Sequence, residues 1–146
     1  GGMTFPPVRV DRVIGDEGTV RLGGVTLTAH LTPGHSPGCT SWSMAAVGAD
    51  RVRRQVFFHC SGTVAGQSLM PEAYPGIVAN FRATFAKVSK YKADVFLANH
   101  DNFFDLAEKR ARQVAGDANA FVDAGELQRF NTLMEKRFEA ELAKKR

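Results

Sequence analysis

The spacing of apolar residues changes near the middle of this chain, and that change constrains the fold more than any other sequence feature. Before residue 74, apolar and polar residues alternate in short runs separated by glycine, a pattern typical of β-strands. The clearest runs are residues 20–22, 25–31, 40–47 and 52–59. After Tyr74-Pro75, Ile77, Phe81 and Phe85 recur at helical spacing. The sequence therefore predicts an α/β (α+β) fold in which helices follow and cover a sheet.

Further elements continue this order. Residues 8–10 alternate like a strand, and the apolar centre of 52–59 predicts an interior strand. Residues 94–98 predict a short buried strand, and 103–114 and the stretch from Leu127 to Leu142 predict helices. Trp42 and the phenylalanines at 57, 58, 81 and 85 fit core positions. A sheet with helices on one face still has a second face to cover, and a chain this short offers little to cover it.

Length and composition predict one domain over residues 1–146, since 44% of the 146 residues are apolar. Gly1-Gly2 before Met3 is typical of a cloning remnant. No apolar run is long enough to suggest a membrane span. The net charge is +4, but acidic residues are mixed with the basic ones on the predicted helices, as on a solvated helix face. We therefore expect neither a nucleic acid nor a membrane as partner.

The cysteines, Cys39 and Cys60, form neither a disulfide framework nor a CxxC zinc motif. We therefore expect buried free thiols. Cys60 adjoins Ser61 near a strand end, where successive side chains point to opposite faces, so we expect Cys60 to point away from any site that Ser61 faces.

The histidines fall into two groups. Residues 32–38 contain two prolines and two glycines, which predicts a loop that presents His35. His100 follows the predicted strand 94–98. By themselves, two such histidines are more often hydrogen-bonded structural residues than ligands. His30 and His59 lie inside strand patterns, where a structural role is the favoured interpretation, and Asp105 is interpreted as a helix cap or a solvated charge.

The segment LTPGHSPGCTSWSM at 31–44 resembles the metal-binding loop of the metallo-β-lactamases, especially their third subclass. The strings CSGTV at 60–64, YPGI at 74–77, DVFLANH at 94–100 and FFDL at 103–106 follow in the order and approximate spacing of that subclass. The resemblance extends over nearly the whole chain from about Val8. It implies that the chain is the C-terminal part of such an enzyme, one αβ layer of an αββα sandwich with a mostly antiparallel sheet and helices on one face.

The resemblance also implies site residues and a reaction. His35 would be the third ligand of the first zinc, and His100 the last ligand of the second. Ser61 stands where another subclass has a cysteine ligand, and Ser61 and Thr63 would face the carboxylate of a β-lactam antibiotic. Zinc in this family lowers the pKa of bound water, and the resulting hydroxide opens the lactam amide. If the chain follows the family, it is periplasmic or secreted.

One departure from the family pattern decides what to expect of this chain. The HxHxDH string, which supplies the family's other zinc ligands, does not occur among the 146 residues. Catalytic zinc normally has three protein ligands, whereas the chain offers one to each zinc. We therefore expect weak or absent zinc binding and no activity of the chain alone.

The uncovered sheet face then predicts a homodimer, or a complementary N-terminal half, as partner. Two alternatives remain for the function. The chain could be a non-catalytic remnant or fragment that only self-associates. It could also be another hydrolase of the same fold, such as a lactonase or thioesterase.

Overall fold

A computed structural model describes residues 6–144. Gly1 and Gly2, interpreted as a cloning remnant, lie outside this range. The sheet has five strands in the order β1-β2-β3-β4-β5. β1 to β4 are antiparallel neighbours, and β5 lies parallel to β4. The strands are β1 Thr19–Leu22, β2 Val25–Leu31, β3 Thr40–Val47, β4 Arg53–His59 and β5 Val95–Ala98, and the helices are α1 Ile77–Val88, α2 Leu106–Val114 and α3 Glu126–Ala143.

The mostly antiparallel sheet with helices on one face confirms the predicted fold class. Two local predictions were wrong. Residues 8–10 form no strand, and Val8 and Val10 are 83% and 70% exposed, so no neighbouring strand pairs with them. The predicted helix 103–114 is interrupted, because Asp105 adopts a left-handed conformation with φ 52° and α2 begins only after it. No helix among the described residues is long and apolar enough to cross a membrane.

The core lies between the sheet and the helices. Phe57 of β4 and Phe96 of β5 are 1% and 0% exposed, and they belong to the cluster that α1 and α3 complete. The helices contribute buried residues at helical spacing, which are Ile77, Phe81, Phe85, Val88, Leu127, Phe130, Met134, Phe138 and Leu142. Full burial of each large apolar side chain contributes about 1.5–3 kcal/mol. This cluster therefore fixes the helices on one side of the sheet.

The opposite side of the sheet is apolar and partly exposed. In the strand register, Trp42 is opposite Phe58, Phe58 is opposite Leu97, and Met44 is opposite Val56. Opposite residues project from the same face of a sheet. We call this surface the apolar sheet face and define it as Leu27, Leu31, Trp42, Met44, Val56, Phe58 and Leu97.

Exposure on the apolar sheet face corrects part of the predicted core. Leu31 and Phe58 are 40% and 38% exposed. Phe57 belongs to the core as predicted, but Trp42 and Phe58 project from the other side of the sheet.

Candidate functional site

The predicted site residues all lie at one edge of the sheet. β4 and β5 are parallel, with His59 opposite Ala98, so their carboxyl ends reach the same edge. β3 runs antiparallel to β4 and therefore begins at that edge. The segments 32–39, 60–64 and 99–103 extend from these strand ends. They carry His35, Ser61 with Thr63, and His100, so the topology places all four residues at this edge.

The loop between β2 and β3 is closed at its base by backbone and side-chain hydrogen bonds. The Thr32 N–H donates to the Cys39 carbonyl at 2.9 Å. The hydroxyls of Thr32 and Ser41, both 0% exposed, are 2.7 Å apart. Because both ends of the loop are bonded in this way, the residues between them occupy a defined position.

Helix α1 and the segment before it hold the loop from the other side. The Tyr74 hydroxyl donates to the Gly34 carbonyl at 2.7 Å, and the Thr84 hydroxyl donates to the Pro33 carbonyl at 2.6 Å. Gly34 has φ 153°, and a Cβ there would lie 2.7 Å from the Phe81 ring. Only glycine allows this close approach without displacing the ring.

His35 is oriented by the segment that follows β4. Its Nδ1 lies 3.0 Å from the Thr63 carbonyl oxygen, which can only accept. The ring therefore donates from Nδ1 and keeps a lone pair on Nε2, which has no hydrogen bond within residues 6–144. A metal-binding histidine commonly has this arrangement, with one ring nitrogen held by a carbonyl and the other available to the ion.

A disulfide joins Cys39 to Cys60, so the prediction of free thiols was wrong. The cysteines directly precede β3 and directly follow β4, and antiparallel pairing of these strands brings their Cα atoms to 5.7 Å. That distance is within the range that a disulfide needs. The bond connects the His35 loop covalently to the segment carrying Ser61, and it leaves Cys60 no metal-binding role.

The hydroxyls of Ser61 and Thr63 each accept a hydrogen bond from a nearby backbone N–H group. The Ser61 hydroxyl accepts from the Thr63 N–H at 3.4 Å, and the Thr63 hydroxyl accepts from the Ala65 N–H at 3.1 Å. Ser61 is only 2% exposed, whereas Thr63 is partly exposed. Thr63 is thus the more accessible of the two hydroxyls, and the role of either toward substrate stays a prediction.

His100 lies directly after β5, at the start of a short 3-10 helix over Asp101–Phe103. It is exposed, and its ring packs edge-on against Phe103 with centroids 5.1 Å apart. The neighbouring Asp101 carboxylate accepts from the Asn102 N–H at 2.7 Å. His100 therefore has open solvent beside it, but no hydrogen bond within the described residues fixes its tautomer.

The other two histidines are buried within the fold, in different environments. His30 is 4% exposed and hydrogen-bonded through both ring nitrogens, as expected. His59 is 1% exposed, and neither of its ring nitrogens has a partner among the described residues. Its ring packs against Phe57 and Phe130. Burial lowers the pKa of His59 to about 4, so the ring is neutral near pH 7.

Comparison with known proteins identifies the family, although no family model matches the sequence. BJP-1, a subclass B3 metallo-β-lactamase of Bradyrhizobium japonicum, is 46% identical with a TM-score of 0.90. A Cronobacter sakazakii metallo-β-lactamase is 39% identical with a TM-score of 0.86, and FEZ-1 from Legionella gormanii is 34% identical with a TM-score of 0.90. Each alignment covers 97% of this chain. The chain belongs to the metallo-β-lactamase family.

The alignments cover only 53% of the Bradyrhizobium and Cronobacter chains and 54% of the Legionella chain. This metallo-β-lactamase chain therefore spans about half the length of the solved relatives. It corresponds to the C-terminal part of a subclass B3 enzyme. The predicted resemblance is confirmed.

The number of ligands that a metallo-β-lactamase zinc site requires can be compared with the side chains present. His35 fits as one ligand, because Nδ1 is held and Nε2 is available. Among residues 6–144, however, no three His, Cys, Asp or Glu side chains form a group that could hold a metal ion. A catalytic zinc normally has three protein ligands. The described residues therefore do not make a complete zinc site.

Proposed function

We propose that this chain supplies the C-terminal part of a β-lactam-hydrolysing site and acts only when an HxHxDH segment is provided from outside these 146 residues. In this proposal His35 and His100 are metal ligands. Thr63, together with Ser61, binds the carboxylate of the β-lactam. The observation that carries the proposal is the orientation of His35, whose Nδ1 is held by the Thr63 carbonyl while Nε2 stays available.

The remaining loop contacts support this role. Hydrogen bonds from Tyr74 and Thr84, the disulfide and the glycine at 34 all restrict the segment that presents His35. A loop that served only as a connection would not need so many restraints. The 146-residue chain alone should hydrolyse no β-lactam and retain little zinc, because it brings too few ligands together.

Complementation tests the proposal. The chain is mixed with a separate polypeptide carrying the HxHxDH half of a subclass B3 enzyme in zinc buffer, and hydrolysis of a chromogenic cephalosporin is followed. We expect turnover only in the mixture. The variant His35→Ala should reduce it by at least about 100-fold, since loss of an outer contact to a ligand already costs about 10–100-fold. The control Ser36→Ala changes the adjacent residue of the same loop and should have little effect.

Zinc content provides an independent measurement. After dialysis, elemental analysis should find well under one zinc per isolated chain and a higher content in the mixture. Hydrolysis by the isolated chain at the rate of the mixture, or equal rates for the mixture with His35 and with His35→Ala, would contradict the proposal.

The apolar sheet face supports a second candidate, a chain that self-associates without catalysis. Phe58 at 38% and Leu31 at 40% exposure lie on one strongly apolar surface. A contiguous exposed apolar surface is typical of a protein association site. In this candidate two copies pack face to face around a twofold axis.

Sedimentation velocity at micromolar concentration tests self-association. The wild-type chain should sediment as a dimer, and Phe58→Lys should shift it to monomer. The matched variant Val114→Lys, at a residue on α2 that is 71% exposed, should leave the dimer intact. A stable wild-type monomer would exclude this candidate. A lactonase or thioesterase remains the third candidate, and the complemented mixture can be assayed with the corresponding esters.

A further inference from the structure

Three side chains from different parts of the chain form a continuous hydrogen-bonded series that includes none of the predicted site residues. The Nδ1 of His30 lies 2.9 Å from the Glu17 carboxylate, and its Nε2 lies 2.7 Å from the Ser43 hydroxyl. This is the order of carboxylate, imidazole and hydroxyl that activates serine nucleophiles on unrelated folds. Such sets are recognised by geometry and not by their order in the sequence.

The sheet and a turn position these residues. His30 on β2 and Ser43 on β3 share one face of the sheet, because the opposite pairs Thr28–Ser43 and His30–Ser41 place them diagonally across neighbouring strands. This face is the helix-covered one, since Ser43 is opposite Phe57 of the core. Glu17 lies in the turn before β1 with φ 58°, and its N–H donates to the Ala29 carbonyl at 2.8 Å. The backbone of the turn is therefore fixed beside the strand that carries His30.

The hydrogen-bond roles follow from the carboxylate. The Tyr91 hydroxyl donates to Glu17 at 2.6 Å, and this bond together with the one from His30 holds the pKa of Glu17 below its ordinary value. An ionised carboxylate can only accept, so His30 donates from Nδ1 and accepts the Ser43 O–H at Nε2. The Tyr91 oxygen also lies 3.1 Å from Nδ1, and its ring packs on the imidazole with centroids 4.6 Å apart.

Ser43 is one of the residues that line an open groove. The groove has a volume of about 370 Å³, and its wall includes Ser43, Thr26, Thr28, Ala45, Arg53 and Gln55. Ser43 is 8% exposed, so only a small part of it is open to solvent. The side chains at 26, 28 and 45 are small, and a groove of this volume can hold a short acyl group. Arg53 and Gln55 add polar donors at the wall.

We propose that Ser43, His30 and Glu17 form a second, metal-independent nucleophilic site that accepts short-chain or activated esters. The Ser43 oxygen bonds to the ester carbonyl carbon as His30 Nε2 takes the hydroxyl proton. The ester C–O bond then breaks, and the same proton goes to the leaving alcohol. Water next attacks the acyl-serine and gives a proton to His30, which returns it to Ser43 as the carboxylic acid leaves.

Negative charge that develops on the ester carbonyl oxygen would be stabilised by side-chain donors. Ser43 is in the interior of a paired strand, so the backbone N–H groups near it are used in the hydrogen bonds of the sheet. Thr28 lies directly opposite Ser43, and Gln55 lines the same groove. Hydroxyl and amide side chains can act as oxyanion donors. Glu17 and Tyr91 are positioning residues, because they act through His30.

Covalent labelling tests the site without any zinc. The chain, kept in chelator, is incubated with a small fluorophosphonate, and the adduct is located by peptide mass spectrometry. We expect one adduct, on Ser43, and none in Ser43→Ala. His30→Gln should slow labelling by about 100-fold, the lower range of a general-base contribution. Ser68→Ala removes an exposed serine outside the groove and should label at the wild-type rate.

A proton signal separates positioning from a purely structural role. In the wild-type protein, the Nδ1 proton shared between His30 and Glu17 should give a downfield NMR resonance. Glu17→Gln should shift that resonance and slow labelling by at least about tenfold, since an uncharged partner disturbs the imidazole tautomer. Ser43→Cys retains a nucleophile of similar size and should be alkylated in a His30-dependent manner, which keeps the test valid if Ser43→Ala does not fold.

The proposal is overturned if the folded wild-type chain, verified by circular dichroism, takes no adduct on Ser43. It is equally overturned if the adduct forms on another serine, or if His30→Gln labels as fast as wild type. Each of these results is independent of whether the chain supports β-lactam hydrolysis.

Discussion

Removal of the disulfide should destabilise the chain by an amount that its loop length sets. The variant Cys39→Ala/Cys60→Ala opens a covalent loop with a sequence separation of 21 residues. Loop-closure entropy for a loop of this size corresponds to about 3 kcal/mol at room temperature. In a domain of 146 residues, this should lower Tm by about 10 °C.

Urea and thermal unfolding followed by circular dichroism measure the effect. Dithiothreitol should lower the stability of wild type to about the level of the double variant and leave the double variant unchanged. A thiol assay on the unfolded, unreduced wild-type chain should detect no free thiol. A loss under about 1 kcal/mol in the double variant, or two titratable thiols in the wild-type chain, would show that the disulfide does not stabilise the fold in this way.

Three other changes should alter stability in predictable ways. The free energy of unfolding should fall by about 2–3 kcal/mol when the pH is lowered from 7.5 to 4.5. His59 has a pKa of about 4 in the folded chain and 6.5 in the unfolded chain, so the unfolded chain binds more protons in that pH range. His59→Phe should remove most of this loss, as measured by urea unfolding at both pH values. Gly34→Ala should lower the free energy of unfolding by about 2–4 kcal/mol, because φ is 153° and the new Cβ would lie 2.7 Å from an aromatic ring. Gly38→Ala should be nearly neutral in the same unfolding experiment, because a Cβ there meets nothing within 4 Å. Lys109→Met should cost about 3–5 kcal/mol because it leaves Glu126, with 13% side-chain exposure, without its cation, and the double variant Lys109→Met/Glu126→Leu should recover most of that loss.

Each of these predictions has a result that would count against it. An equal pH dependence in wild type and His59→Phe would show that other groups dominate the acid response. Equal melting of the two glycine variants would remove the steric argument at Gly34. A double variant as unstable as Lys109→Met alone would mean that the apolar replacement, and not the unpaired Glu126, causes the loss.

Strong periodicity made much of the fold predictable. The alternation in β3 and β4 and the helical spacing of Ile77, Phe81 and Phe85 agree with the elements observed, because burial on one face imposes that spacing. The helix predicted over 103–114 was less accurate, since the left-handed turn at Asp105 leaves no periodic signal.

Contacts between separate segments were harder to predict. The pairing of Cys39 with Cys60 requires the relative alignment of β3 and β4, although their positions just before one strand and just after its neighbour gave a usable signal. The series Glu17, His30 and Ser43 had no signal at all, because its members come from a turn and two strands whose register is set by the whole sheet.

The apolar sheet face has a consequence for how this chain would find its partners. A second copy of the chain and a complementary half would both cover Trp42 and Phe58, so only one of them can occupy the surface at a time. The two proposed assemblies are then competing equilibria governed by mass action. Raising the concentration of this chain alone should favour its own pairing and inhibit complementation, and Phe58→Lys would weaken both.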